Sequence, residues 1–232
     1  MRAGVWEYSS FRKDPLRRLQ RTGLAAMITV YGARSIAAPM IARVVRMHAA
    51  VQGKTPAGAG YSANDPRLLT WVHATAAFGF AEAYNRYVRP LSEAEFNRFY
   101  VEGAPVSQLY GAADAPRSVL EMRTLFETAA AEFAPSPIIA EFLNIMCGAI
   151  AFPRALRWVQ PILVRAAVDL IPAPIRHRLG LSAGEGHDLH RHERWLVNLL
   201  GACSDRVVLP ASPAVQACLR LGLPMNYLYE RG

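Results

Sequence analysis

The sequence predicts an all-α fold, a single-domain multi-helix bundle of roughly eight to ten helices. Three observations carry that prediction. Helix-start signals recur along the whole chain: an Asp or Ser cap followed by Pro, or by Glu three residues on. Period-two alternation, which a half-buried strand needs, is almost absent. The chain has 232 residues and 52% hydrophobic content, enough to bury one sizeable core.

The elements follow in order. Asp14-Pro15 caps and opens a helix that should run to about Tyr31. A second is expected from about Ala33 to Gln52, with Gly53 as its C′ residue. "KTPAGAGYSAN" (54–64) reads as a loop by its Gly and Pro content. Asp65-Pro66 repeats the start signal for a helix reaching about Arg89. Ser92 with Glu95, and Ser118 with Glu121, have the spacing of capping boxes. Ser136-Pro137 opens a helix ending near Gly148. Pro153 should start another, with a kink at Pro161. "LIPAPIRHRLGL" reads as a break and a short helix, and helices near 188–203 and 213–221 complete the chain. "DRVVLPAS" is the one tempting strand, too isolated to build a sheet. No internal repeat or low-complexity linker divides the sequence.

Composition narrows the partners. The formal charge is +8, but the basic residues are scattered and no Lys/Arg tract interleaves with aromatics, so nucleic acid is not an expected partner. Such a scaffold would show steeply salt-dependent binding. No stretch reaches the roughly 18–20 uninterrupted apolar residues of a membrane span, and the start has no signal-peptide core. The expected location is cytoplasmic. Several helices are apolar enough to leave a peripheral membrane contact open. Cys147, Cys203 and Cys218 are odd in number and lack CxxC spacing; buried free thiols are expected.

Two histidines and a basic stripe are the candidate chemistry. In "RVVRMHAAVQG" (43–53), His48 has Val44 and Val45 a turn before it and Val51 a turn after, so its imidazole points along an apolar face. A lone histidine there is more often a core residue than a ligand. "DPLRRLQRTG" (14–23) puts Arg18, Arg21 and Thr22 on one face of a helix that also carries Leu19, Leu24, Met27 and Ile28. A guanidinium cannot lose its proton, so if buried it needs an anion. In "YSANDPRLLTWVHATAAFGF" (61–80), His73 shares a face with Leu69, Ala76 and Phe80, and Thr75 lies two residues on.

"YSSFRKDPLRRLQRT", "RVVRMHAAVQG", "YSANDPRLLTWVHAT" and "LSEAEFNRFYVEGAPVSQLYG" together resemble the blocks of the mpaB-type oxygenase catalytic domain, shared with the latex-clearing rubber oxygenases. The resemblance runs over residues 4–150 in order and is most specific in 8–22, 43–53 and 61–75. It implies an all-α, latex-clearing-protein-like fold with a b-type haem inside the bundle, and dioxygen as co-substrate. By the same resemblance His48 is the proximal iron ligand, Arg18, Arg21 and Thr22 match the distal block, and Thr75 matches the later threonine of the family's Asp-containing loop-helix block. His73 stands as the alternative ligand, and a site using both histidines as a third arrangement.

The departures carry meaning. The rubber enzymes' distal lysine is Arg21 here, and a guanidinium does not cap iron, so the sixth position should be open or water-filled. Arg21 is then free to hydrogen-bond dioxygen or a propionate. The family's distal glutamate has only Glu7 as a nearby candidate. The apolar helix that family members usually carry before "GVWEYSSF" is expected to be missing. "GHDLHRHERW" gathers His187, His190 and His192 with Asp188 and Glu193, but without the spacing of a known metal motif it reads as a solvated helix start.

The leading expectation is a haem b-dependent oxygenase or peroxygenase acting with dioxygen on an apolar small molecule, with Trp71, Phe78, Phe80 and Tyr84 available to line its pocket. The alternative is a helical haem- or lipid-binding protein without turnover, at a membrane surface. A polymer such as rubber does not suit a cytoplasmic chain.

Overall fold

A computed structural model describes Trp6 and residues 11–54, 60–182, 184 and 186–230. Among these residues it has ten α-helices: α1 (Pro15–Tyr31), α2 (Arg34–Ala49), α3 (Pro66–Tyr87), α4 (Glu93–Leu109), α5 (Val119–Ala130), α6 (Pro137–Gly148), α7 (Val159–Asp169), α8 (Ala173–Arg178), α9 (Arg191–Ser204) and α10 (Pro213–Arg220). The all-α expectation holds.

The starts obey local chemistry. The Asp14 and Asp65 carboxylates accept the backbone N–H groups of Arg17 and Arg67, and Pro opens both helices. Ser92 and Glu95 form a complete capping box. Ser118 accepts the Glu121 N–H, but Glu121 turns its own carboxylate to the Arg117 N–H, so that box is half made.

Several expectations are corrected. α2 stops at Ala49 rather than Gln52, because Gln52–Lys54 (β1) pairs antiparallel with Gly60–Ser62 (β2). Gly53 therefore sits opposite Tyr61 in a hairpin, not at a helix terminus, and part of the expected loop 54–64 is strand. Pro153 starts only a 3₁₀ turn, Arg154–Leu156, before α7. Pro161 is the third residue of α7, where its missing N–H would have had no intrahelical acceptor, so it cannot kink that helix. "DRVVLPAS" turns out of α9 and forms no strand. The three thiols are free, but only Cys218 is buried; Cys147 is half-buried and Cys203 exposed.

The core has three parts. Ala74, Ala81, Phe96, Tyr100 and Met122 join α3, α4 and α5. Tyr87, Ile162, Ala166 and Val197 join α3, α7 and α9. Leu143, Val164 and Val168 join α6 to α7. The Asp169 carboxylate ties several helices: Arg194 of α9 grips it at 2.7 and 3.1 Å, and Arg86, Tyr87 and Arg176 lie at 3.3–3.6 Å. The α1–α2 pair is packed differently. It adds only Ala37 and Ile41 to the buried set, and α1 has no buried residue at all. α1 is held by α2 and α10, by a hydrogen bond between Thr29 and Tyr110 (2.9 Å), and by Arg220 donating to the Tyr31 carbonyl (2.6 Å).

Candidate functional site

His48 lies in the last turn of α2, half-buried beside the half-buried Val44 and Val45. Its pKa is lowered first by burial and then by the positive charge of Arg18. Both effects favour a neutral ring with an available lone pair. α1 and α2 thus bring Arg18 and His48 within electrostatic reach across 30 residues of sequence.

Asn64 completes this neighbourhood. Its amide Nδ2 donates to the Val45 carbonyl at 3.2 Å, one helical turn before His48. Ala63 N–H donates to the Val51 carbonyl at 3.0 Å, so the segment leading into α3 lies along the end of α2. Asn64 Oδ1 is buried and has no hydrogen-bond partner among the described residues. The Nδ2 bond to a carbonyl fixes the amide orientation, so the orphan is an acceptor that calls for a donor. Nothing in the amino-acid pattern singled out Asn64; its significance comes from the fold bringing it to α2.

Arg18, Arg21 and Thr22 are all exposed. The Arg18 guanidinium donates to the Thr22 hydroxyl at 3.1 Å, and that hydroxyl donates to the Arg18 carbonyl at 2.9 Å. The sequence argument applied to a buried guanidinium; here the basic stripe faces solvent while Leu24 and Val30 of the same helix are also exposed. Glu7 lies outside the described residues.

His73 is half-buried on α3, with its pKa lowered by burial alone. The Thr75 hydroxyl donates back to its own helix, to the Trp71 carbonyl at 2.9 Å and the Val72 carbonyl at 3.1 Å. Trp71 packs edge-on against Phe126 at 5.4 Å and tilted against Phe133 at 5.5 Å.

A cavity of about 510 Å³ opens between α3, α4, α5 and the start of α8. Its walls include Phe78, Phe96, Tyr100, Met122 and Phe126, and none of His48, His73, Arg18, Arg21, Thr22 or Thr75 reaches it. Of the four aromatics expected to line a pocket, Phe78 does so and Trp71 stands behind Phe126. Phe80 is 60% exposed, and Tyr84 donates instead to Asp205 at 3.2 Å.

The histidine-rich segment is divided among several tasks. Glu193 is buried, takes the His190 backbone N–H at 3.0 Å, and is paired through both oxygens with Arg165 of α7. Asp188 accepts the Gly184 N–H at 2.6 Å. The His190 and His192 rings stack at 5.7 Å. No group of three or more His, Cys, Asp or Glu side chains is arranged to hold a metal among the described residues. A haem needs only one or two axial side chains from the protein, which is a different requirement.

Residues 1–202 match the family model described as "ER-bound oxygenase mpaB/B'/Rubber oxygenase, catalytic domain". No curated protein and no solved structure matches the chain.

Proposed function

Since this chain belongs to the mpaB/rubber oxygenase catalytic-domain family, and so to a family of oxygenases, we propose that it is a haem b-dependent oxygenase or peroxygenase acting on an apolar small molecule, with His48 as the axial iron ligand. The observation that carries this reading is the Arg18–His48–Asn64 neighbourhood. A half-buried imidazole held neutral supplies the lone pair that iron requires. Axial histidines generally donate their other ring N–H to an oxygen, and the orphan Asn64 Oδ1 is an unused acceptor tied to the preceding turn of the same helix. Arg18 offers a permanent positive charge suited to a haem propionate. The donor types that α1, α2 and Asn64 offer are those a haem would use.

The haem, when bound, supplies the oxygen chemistry. The chain's residues would hold it: His48 through one ring nitrogen, Arg18 through charge, Arg21 as a hydrogen-bond donor, and Thr22 likewise once its hydroxyl leaves the Arg18 carbonyl. Arg21 stays protonated and donates without competing for iron. His73 is the alternative ligand, and Thr75 would assist from the same helix once its hydroxyl leaves the Trp71 carbonyl.

The test is a titration of the purified full chain with haemin, followed in the visible spectrum. A Soret band saturating near one haem per chain is expected. A featureless titration would leave the alternative, a helical lipid-binding protein. One observation favours a membrane-surface role alongside the enzymatic one. Residues 15–49 contain six arginines and no acidic residue, while Leu24, Val30, Ile36 and Met47 in this stretch are exposed. Among the described residues no helix is long and apolar enough to cross a membrane.

A further inference from the structure

The cavity between α3, α4 and α5 is built without any of the residues discussed for haem. Its volume, about 510 Å³, lies within the range of small-molecule sites. Phe78, Phe96, Phe126 and Met122 make the interior apolar. Tyr100 is the exception. It is only 5% exposed, its ring is fixed between Phe96 and Phe99 at 6.3 and 5.7 Å, and its hydroxyl has no hydrogen-bond partner among the described residues. The Tyr100 side chain is buried but its hydroxyl oxygen is not fully closed off, so in the wall of an apolar cavity it can take a hydrogen bond from a ligand. Burial, then the nearby negative charge of Glu82, pushes the Tyr100 pKa up to about 12, so the phenol stays neutral.

Charge selects the ligand class. Glu82, Glu93 and Glu127 line the cavity against a single guanidinium, Arg123, on a chain whose overall charge is +8. Glu82 Oε2 accepts the Asn85 amide at 3.2 Å, and Oε1 has no hydrogen-bond partner among the described residues. A carboxylate ligand would meet excess negative charge here, and a neutral hydrocarbon would displace water from the phenol and the Glu82 oxygen without replacing its hydrogen bonds.

We propose that this cavity binds a small amphiphilic amine. The hydrocarbon part lies against Phe78, Phe96, Phe126 and Met122, and the ammonium N–H groups donate to the Tyr100 hydroxyl oxygen and the Glu82 carboxylate. The site is separate from the haem reading and does not depend on it.

Isothermal titration of the full chain, without added haem, compares decylamine, decanol and decanoate below their aggregation limits. One-to-one binding of decylamine is expected, tighter than decanoate by about tenfold or more. Tyr100→Phe and Glu82→Gln should each weaken decylamine about tenfold. Glu82→Gln should leave decanol unchanged. The exposed pair Glu93→Gln/Glu127→Gln gives a variant that does not touch the core and should narrow the amine preference. Equal affinity for amine and carboxylate, no amine binding, or unchanged amine affinity in both single variants would overturn the proposal.

Discussion

Gln160 shows how one side chain can join two segments. It is 6% exposed, its Nε2 donates to the Met146 carbonyl at 2.6 Å, and its Oε1 accepts the Ala151 N–H at 3.2 Å. It thus holds the end of α6 against the start of α7. Gln160→Leu keeps the volume but leaves a carbonyl and an N–H unpaired, so stability should fall by about 2 kcal/mol, read from the urea midpoint. Glu193 carries a larger stake. Arg165→Met would strand its buried carboxylate and should cost about 3 kcal/mol or more in the same assay. Burial alone would raise the Glu193 and Asp169 carboxyls. The guanidiniums of Arg165, and of Arg194 and Arg86, outweigh burial and hold both below the ordinary range. A lowered folded pKa means stability that is present above about pH 4, the unfolded carboxylate range, and lost as pH falls through the folded values. Thermal scans should show the melting temperature dropping below about pH 4, with a shallower drop in Arg165→Met.

Between elements, α9 comes close to α3 at Gly201. A Cβ built on Gly201 collides with the Tyr87 carbonyl oxygen, so Gly201→Ala must push the two helices apart. A cost of about 1–3 kcal/mol is expected in thermal denaturation. Gly23, inside exposed α1, meets nothing within 4 Å, and Gly23→Ala should instead stabilise by about 0.5–1 kcal/mol. The contrast shows what the sequence could reveal. Caps at Asp14, Asp65, Ser92 and Ser136 were legible because each serves an N–H two or three residues away. Both glycines look alike in sequence; only the neighbour on α3 distinguishes them. Gly53 and Pro161 were misread for the same reason: a helix terminus and a strand pair compete for Gly53, and the position of α7's first residue decides what Pro161 does. In the site, His48 and Arg18 stood out as residue types in a pattern. Asn64, Tyr100 and Glu82 gain their meaning from partners on other elements.

At the scale of the molecule, a well-packed body of α3–α9 contrasts with the α1–α2 pair, which is apolar, basic and sparsely buried. The pair holds the proposed iron ligand and also the basic, partly apolar surface proposed to meet an anionic bilayer. Vesicles containing phosphatidylserine should co-sediment the full chain at low salt and phosphatidylcholine vesicles should not. Arg34→Glu combined with Ile36→Asp should abolish that binding without disturbing the helical circular dichroism. The assignment of His48 is the centre of the account, and the visible spectrum of haem-loaded His48→Gly and His73→Ala, each with and without added imidazole, tests it most directly. The account predicts that His48→Gly loses the Soret band and regains it with imidazole, while His73→Ala keeps a wild-type spectrum. A wild-type Soret band in His48→Gly, with its loss in His73→Ala, would contradict it.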